Sequence, residues 1–151
     1  MNEEFKNKIF LGGTCGTKFD WDWRRSLISK LPDGVTYYDP FLRDWETDRD
    51  WDEEAQKAEI KQRECCEYTC YIITSDFSGI YSFCEAVADS CTKQPGKVIV
   101  GFIDYTGKIS RDRGLTKSIE AWLRLCESHG AKVVKSTDEV AVYLKSKIDS
   151  M

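Results

Sequence analysis

Residues 69–91 read TCYIITSDFSGIYSFCEAVADSC. The first six form an apolar, β-branched run of the kind found in a strand covered on both faces. The run stops at Ser75-Asp76. After Ser78-Gly79, apolar residues return with a helical period, because Ile80, Phe83, Cys84, Val87, Ala88 and Cys91 stand at i, i+3, i+4, i+7, i+8 and i+11. A buried strand, a short loop and an amphipathic helix make the first half of a parallel strand–helix–strand unit. The second half follows at residues 98–103, another apolar run.

Outward from this unit the same alternation recurs. Toward the N-terminus, residues 9–11 read as a strand ending in Gly12-Gly13-Thr14-Cys15-Gly16. Trp23, Leu27 and Leu31 recur every four residues and mark a helix, with Asp20 able to cap its start and Pro32-Asp33-Gly34 ending it. Residues 35–38 form a short strand stopped by Asp39-Pro40. A polar stretch, 43–54, carries Trp45 and Trp51, and Asp52 opens a helix running to about Glu67. Toward the C-terminus, residues 104–114 are a charged, Gly-containing loop. Ile119, Trp122, Leu123 and Cys126 make a helical stripe, and residues 131–134 a last strand. Ser136 and Glu139 form a capping box for a final helix with Val140, Tyr143 and Leu144 on its inner face.

Five strands alternating with five helices predict an α/β fold, a flavodoxin-like three-layer sandwich whose five-stranded parallel sheet has the order 2-1-3-4-5. In such sheets ligands bind beyond the carboxyl ends of the strands where the winding reverses, here between the first and third strands. Three stretches then face the crevice: 12–17, 39–43 and 75–85.

The length of 151 residues fits a single domain over 1–151. Net charge is −4 with no basic stripe, which argues against binding duplex nucleic acid. No apolar run reaches the 18 residues of a membrane span. The opening Met-Asn-Glu-Glu is acidic, unlike a secretory signal, and seven cysteines is an odd count. Together these predict a cytoplasmic protein with free thiols. Cys65, Cys66 and Cys70 cluster, but with one histidine and no pair of Cys-x-x-Cys motifs they read as core thiols rather than zinc ligands.

The crevice residues leave alternatives open. Gly12 and Gly13 follow a strand as a phosphate or sugar cradle does, and equally as a tight turn does. The pattern is neither the dinucleotide fingerprint nor a Walker loop. Glu85 lies beside the apolar stripe with Tyr81 and Asp89, near the helix start, as a surface acid or a crevice acid. Asp39 and Asp76 end the second and third strands, where acids bind hydroxyls or stabilise turns. His129, next to Gly130, reads as a helix C-cap, and no Ser or Cys has an obvious His partner.

Taken in order, Ile9-Phe10-Leu11-Gly12-Gly13, Trp23-Arg24, Asp39-Pro40, Arg43-Asp44-Trp45, Tyr81-Ser82-Phe83-Cys84-Glu85 and Gly96-Lys97-Val98-Ile99-Val100 resemble the nucleoside 2-deoxyribosyltransferase-like family, especially its short phage and bacterial branch. The resemblance implies cleavage or transfer of an N-glycosidic bond in a (deoxy)nucleoside or its 5′-monophosphate. Glu85 would be the nucleophile, forming a glycosyl ester as retaining glycosidases do. Asp76, which ends the third strand beside the same crevice, is the candidate second catalytic acid. Gly12, Gly13, Thr14, Asp39, Arg43, Tyr81 and Ser82 would surround the substrate. No metal or organic cofactor is required. A homo-oligomer is left open, since relatives often complete the pocket with a neighbouring subunit. Departures stand at Tyr68-Thr69, where many relatives place an Asp, and at the wide spacing of Asp76 from Glu85. A non-catalytic module binding a nucleotide or an ADP-ribose-like ligand is therefore the alternative, and a purely structural or interaction protein the third.

Overall fold

The computed structural model describes residues 1–15, 18–40, 53–77 and 80–150, without the side chains of 18–21. The expectations for Gly16, Thr17, Arg43, Trp45, Trp51, Asp52, Ser78 and Gly79 fall outside the described residues.

After a 3-10 turn over Glu3–Phe5 the elements alternate: β1 (Lys8–Gly13), α1 (Lys18–Lys30), β2 (Thr36–Tyr38), α2 (Glu53–Cys65), β3 (Tyr68–Thr74), α3 (Tyr81–Thr92), β4 (Val98–Ile103), α4 (Arg113–Ser128), β5 (Lys132–Val134) and α5 (Thr137–Asp149). The strands form one sheet in the order β2-β1-β3-β4-β5, with every pairing parallel. This is the flavodoxin-like arrangement expected from the alternation. The winding reverses between β1 and β3, where Gly12 pairs with Tyr71 and Gly13 with Ile72.

Alternate residues of each strand feed opposite faces, because strand side chains have a period of two. On one face Ile9, Leu11, Cys70, Ile72 and Ile99 pack with Trp23 and Leu27 of α1 and Val140 and Leu144 of α5. On the other, Tyr71, Val98 and Val100 pack with Ala86 of α3 and Cys126 of α4. Phe10 makes a smaller cluster with Phe5 and Cys66. All seven residues of β3 are buried, as a central parallel strand requires. Among the described residues no helix is long and apolar enough to cross a membrane.

Several local expectations change. The first strand continues through Gly12 and Gly13, which are strand residues paired to β3 rather than the start of a loop. Helix α1 begins at Lys18, so Asp20 lies inside it and is not its cap. The largest change is in α3. Ile80 precedes the helix and is 70% exposed, and Cys84, Ala88 and Cys91 face solvent. The buried residues are Ala86, Asp89 and Ser90. Small side chains let this helix sit close on β3. The polar ones are buried because each finds a partner: the Ser90 hydroxyl donates to the Ala86 carbonyl at 2.7 Å, and Asp89 meets Arg63 and Tyr71. Phe83 and Val87 turn sideways instead, Phe83 lying edge-on to Trp122 with 4.8 Å between centroids.

Elsewhere the end signals hold. Ser136 caps α5 by accepting from the Glu139 N–H. The Glu139 carboxylate returns to the Lys135 N–H at 2.8 Å, one residue before the position a standard capping box uses. His129 is the C-cap of α4, ahead of Gly130 at φ 100°.

Candidate active site at the β1–β3 switch

The two strand ends at the switch are tied together by Thr14. Its N–H donates to the Ile72 carbonyl at 3.0 Å, and its hydroxyl accepts from the Thr74 N–H at 2.8 Å. Gly13 has φ +106°, and a Cβ there would lie 2.2 Å from the Ile72 carbonyl oxygen, so the chain can leave the strand here only as glycine. From α1, the buried Arg24 reaches under the turn. It donates to the Thr14 carbonyl at 2.7 Å and the Leu11 carbonyl at 3.0 Å, and it lies 3.4 Å from the Asp39 carboxylate at the end of β2. Trp23 adds a hydrogen bond to the same Thr14 carbonyl. The predicted substrate residue Asp39 is thus engaged by a cation of its own fold, with 12% of its side chain exposed.

Helix α3 starts beyond the carboxyl end of β3 and docks on the switch through Ser82, whose hydroxyl donates to the Gly13 carbonyl at 3.2 Å. One turn further, Glu85 lies on the same face as Ser82. It faces inward, with 16% of its side chain exposed, and its Oε2 lies 3.3 Å from the Arg63 guanidinium. Ser82 thus ties α3 to the strand end formed by Gly12, Gly13 and Thr14, and Glu85 follows one turn later on the same helix face. Tyr81, 72% exposed, stands on the first turn of α3. Asp76 is exposed in the turn that leaves β3.

Behind Glu85 lies a polar cluster that sequence reasoning missed. Arg63, in the last turn of α2, donates through Nη2 to Asp89 at 2.9 Å and through Nε at 3.2 Å. Its Nε also lies 3.0 Å from the Tyr71 hydroxyl, which in turn donates to Asp89 in a very short hydrogen bond. The signal was legible in part. Glu85 and Asp89 are spaced i, i+4, and two acids at that spacing repel unless a cation stands between them. What sequence could not reveal is that the cation comes from another helix.

The electrostatics follow from this packing. Burial pushes the Glu85 carboxyl above the usual carboxylate range, Arg63 opposes the rise, and Asp89 adds to it; the net direction is up. Burial, with Asp89 alongside, keeps the Tyr71 hydroxyl protonated far into base, so it remains a donor. Arg63 loses solvation, but Tyr71 and Asp89 more than compensate and hold it charged. Burial also raises the Cys15 thiol at the switch, against the pull of Arg24. Among the described residues no group of three or more His, Cys, Asp or Glu side chains has the geometry to hold a metal ion.

Sheet order and the polar residues gathered at the switch define a doubly wound α/β protein with its candidate site at the β1–β3 carboxyl ends. Within that class the chain belongs to the nucleoside 2-deoxyribosyltransferase like family, whose sequence model matches residues 6–105. That span runs from β1 through β4 and contains every residue of the cluster. A crystal structure of a conserved protein from Enterococcus faecalis V583 is similar over 93% of this chain and 98% of that one, with a TM-score of 0.60 and 13% identity. This likeness is one of fold. No curated protein matches the chain.

Proposed function

We propose that this protein breaks the N-glycosidic bond of a (deoxy)nucleoside or nucleoside 5′-monophosphate, with Glu85 as the nucleophile. The observation that carries the proposal is the placement of Glu85. It is an inward-facing carboxylate, one turn from the Ser82 that anchors α3 to the switch, in a chain of this family. In the first step a Glu85 oxygen bonds to C1′ as the C1′–N bond breaks. The bonding pair leaves with the base, which takes up a proton. Asp76, at the end of β3, is the proposed acid for that proton. The transition state is oxocarbenium-like, so a carboxylate beside C1′ both stabilises and captures it. In the second step water, or the nitrogen of a second base, attacks C1′ as the C1′–O bond breaks; the bonding pair returns to Glu85 as carboxylate, and the acceptor's proton passes to the Asp76 carboxylate left by the first step. A hydrolase and a transferase differ only in that acceptor.

Around the sugar, Gly13, Thr14 and Ser82 supply backbone and hydroxyl groups. Tyr81, Asp39 and Arg43 complete the proposed substrate shell. The proposal takes residues 1–151 as one catalytic domain acting in the cytoplasm on a small diffusible substrate, with no metal or organic cofactor.

The test is incubation with the four deoxynucleosides and their monophosphates, with chromatography for free base. A 2-fluoro-2-deoxy analogue is added to trap the ester. Base release by wild type, a mass adduct on Glu85, and loss of several powers of ten in rate in Glu85→Gln are expected. Base release by Glu85→Gln within about threefold of wild type, well under 1 kcal/mol in barrier, would rule out the nucleophile assignment. Tight binding without turnover would favour a nucleotide-binding module.

A further inference from the structure

We infer that Arg63 is a positioning residue for Glu85, and that Asp89 and Tyr71 hold it so that Glu85 receives only part of its charge. The inference rests on the reading of Glu85 as the nucleophile, but its geometry stands independently.

Helix α2 contributes no buried residue of its own to the core. Its last-turn Arg63 nevertheless crosses to α3 and divides its donors. Nη1 faces Glu85 at 3.3 Å, while Nη2 and Nε take Asp89 in a two-pronged pair. The fork fixes the guanidinium plane, so the Glu85 carboxylate is held from one side only. Lys93 fixes the end of α2 by donating to the Arg63 carbonyl at 2.8 Å and the Cys66 carbonyl at 3.3 Å. Among the described residues, the charged and titratable groups that face this cluster are Arg63 from α2, Asp89 from α3, Lys93 at the C-cap of α3, and Tyr71 from β3.

The arrangement places one shared cation against two carboxylates. A lone Arg63–Glu85 pair would neutralise the nucleophile and lower its reactivity. With Asp89 holding the fork, Arg63 orients Glu85 and favours its charged form, while Asp89 leaves part of that charge uncancelled. When Glu85 becomes an ester its charge is lost, and Arg63 and Asp89 remain as a balanced pair. No buried cation is then stranded in the intermediate.

The test is a direct titration of Glu85 by carbon NMR on protein labelled at the glutamate carboxyl carbon, assigned with Glu85→Gln. Arg63→Met should move the Glu85 midpoint up by about 1–3 pH units, the effect of losing a close opposite charge. Arg63→Lys should restore most of that change. Asp89→Asn should move the midpoint down, because the whole guanidinium charge then falls to Glu85. Should Arg63→Met fail to fold, Asp89→Asn decides alone: a midpoint that does not fall overturns the inference. A midpoint unchanged within about 0.3 pH units in both Arg63→Met and Asp89→Asn, well inside one ordinary perturbation, overturns the inference. The acid limb of the base-release profile should follow the same midpoints. If wild type releases no base at any pH, the glycosidic reading falls while the titration still decides the role of Arg63.

Discussion

The ring of Tyr71 fills the space that a side chain at position 12 would need. A Cβ on Gly12 would lie 2.6 Å from Tyr71 Cε1 and 2.7 Å from Cδ1. The absent side chain in β1 is what lets Tyr71 lie flat and carry its hydroxyl to Asp89 and Arg63. Gly12 therefore bears on the candidate site through the Tyr71 ring.

Gly12→Ala should destabilise the fold by about 1–3 kcal/mol, the usual cost of overpacking a filled core. Tyr71 is fully buried and has no room to yield. Gly13→Ala should cost more, since it adds about 1–3 kcal/mol of positive-φ strain to a clash with backbone rather than with a ring. Chemical denaturation of the two variants checks the order. Equal midpoints, or a more stable Gly13→Ala, would contradict it.

Arg24 is expected to behave as a structural residue. Arg24→Met removes both donors to the Thr14 and Leu11 carbonyls and takes the nearby cation from Asp39. Removing one partner of a buried charged pair typically costs about 3–5 kcal/mol. Asp39→Asn also removes one partner of that pair, but it keeps the Arg24 hydrogen bonds to the two carbonyls and should therefore cost less. Urea unfolding of both variants measures the difference. If Asp39→Asn is the more destabilising, the carbonyl contacts are not what Arg24 supplies.

Much of the architecture was legible because the apolar runs and helical periods alternate without interruption. Residues 69–74 and 98–103 could hardly be anything but buried parallel strands. The candidate acid was also legible, through its place near the start of α3 and the order of the resembling segments. The inner face of α3 was not. Counting apolar residues placed Cys84, Ala88 and Cys91 inside, whereas the helix buries Ala86, Asp89 and Ser90. A polar residue can occupy a core position when its partners are supplied from elsewhere, and the partner of Asp89 lies 26 positions away in α2. In sequence the two glycines read as the start of a loop, as apt for a tight turn as for a ligand cradle; the structure keeps both in the strand, paired to β3, and gives each a packing reason there.

Six of the seven cysteines should divide by burial, Cys15 being half-buried. Cys65, Cys84 and Cys91 are exposed, while Cys66, Cys70 and Cys126 are buried. Burial pushes the Cys70 thiol up to about 12 and the Cys66 thiol to about 11, so neither forms the reactive thiolate at neutral pH. In native protein a maleimide should modify Cys65, Cys84 and Cys91 within minutes and leave Cys66, Cys70 and Cys126 until denaturant is added. Peptide mapping reads the order. Early labelling of Cys70 would mean that β3 is not buried in solution as it is here.

The pH dependence of stability should carry opposite signs at two glutamates. Burial holds the Glu85 carboxyl above its ordinary value, so the folded state keeps a proton that the unfolded chain has released. Stability from this group is therefore greatest below the unfolded value of about 4.3. It falls as pH rises through the window up to the folded value. Glu85→Gln has nothing to deprotonate. Its melting temperature should pull ahead of wild type as pH rises from 4 to 7, each kcal/mol appearing as roughly 2–4 °C. Glu67 runs the other way. Burial raises its carboxyl, but the hydrogen bond from Lys97 and the Asn7 N–H at 2.8 Å outweigh it, and the net direction is down. Its contribution is present above the ordinary value and is lost as pH falls through the folded value. Glu67→Gln should therefore melt below wild type at neutral pH and converge on it in acid. Melting curves of the three proteins between pH 3 and 7.5 supply the comparison. A Glu85→Gln variant less stable than wild type at neutral pH would mean that the ion pair with Arg63 outweighs the burial of the carboxylate. The candidate nucleophile would then be a stabilising residue rather than one held against the stability of the fold, as groups kept for chemistry commonly are.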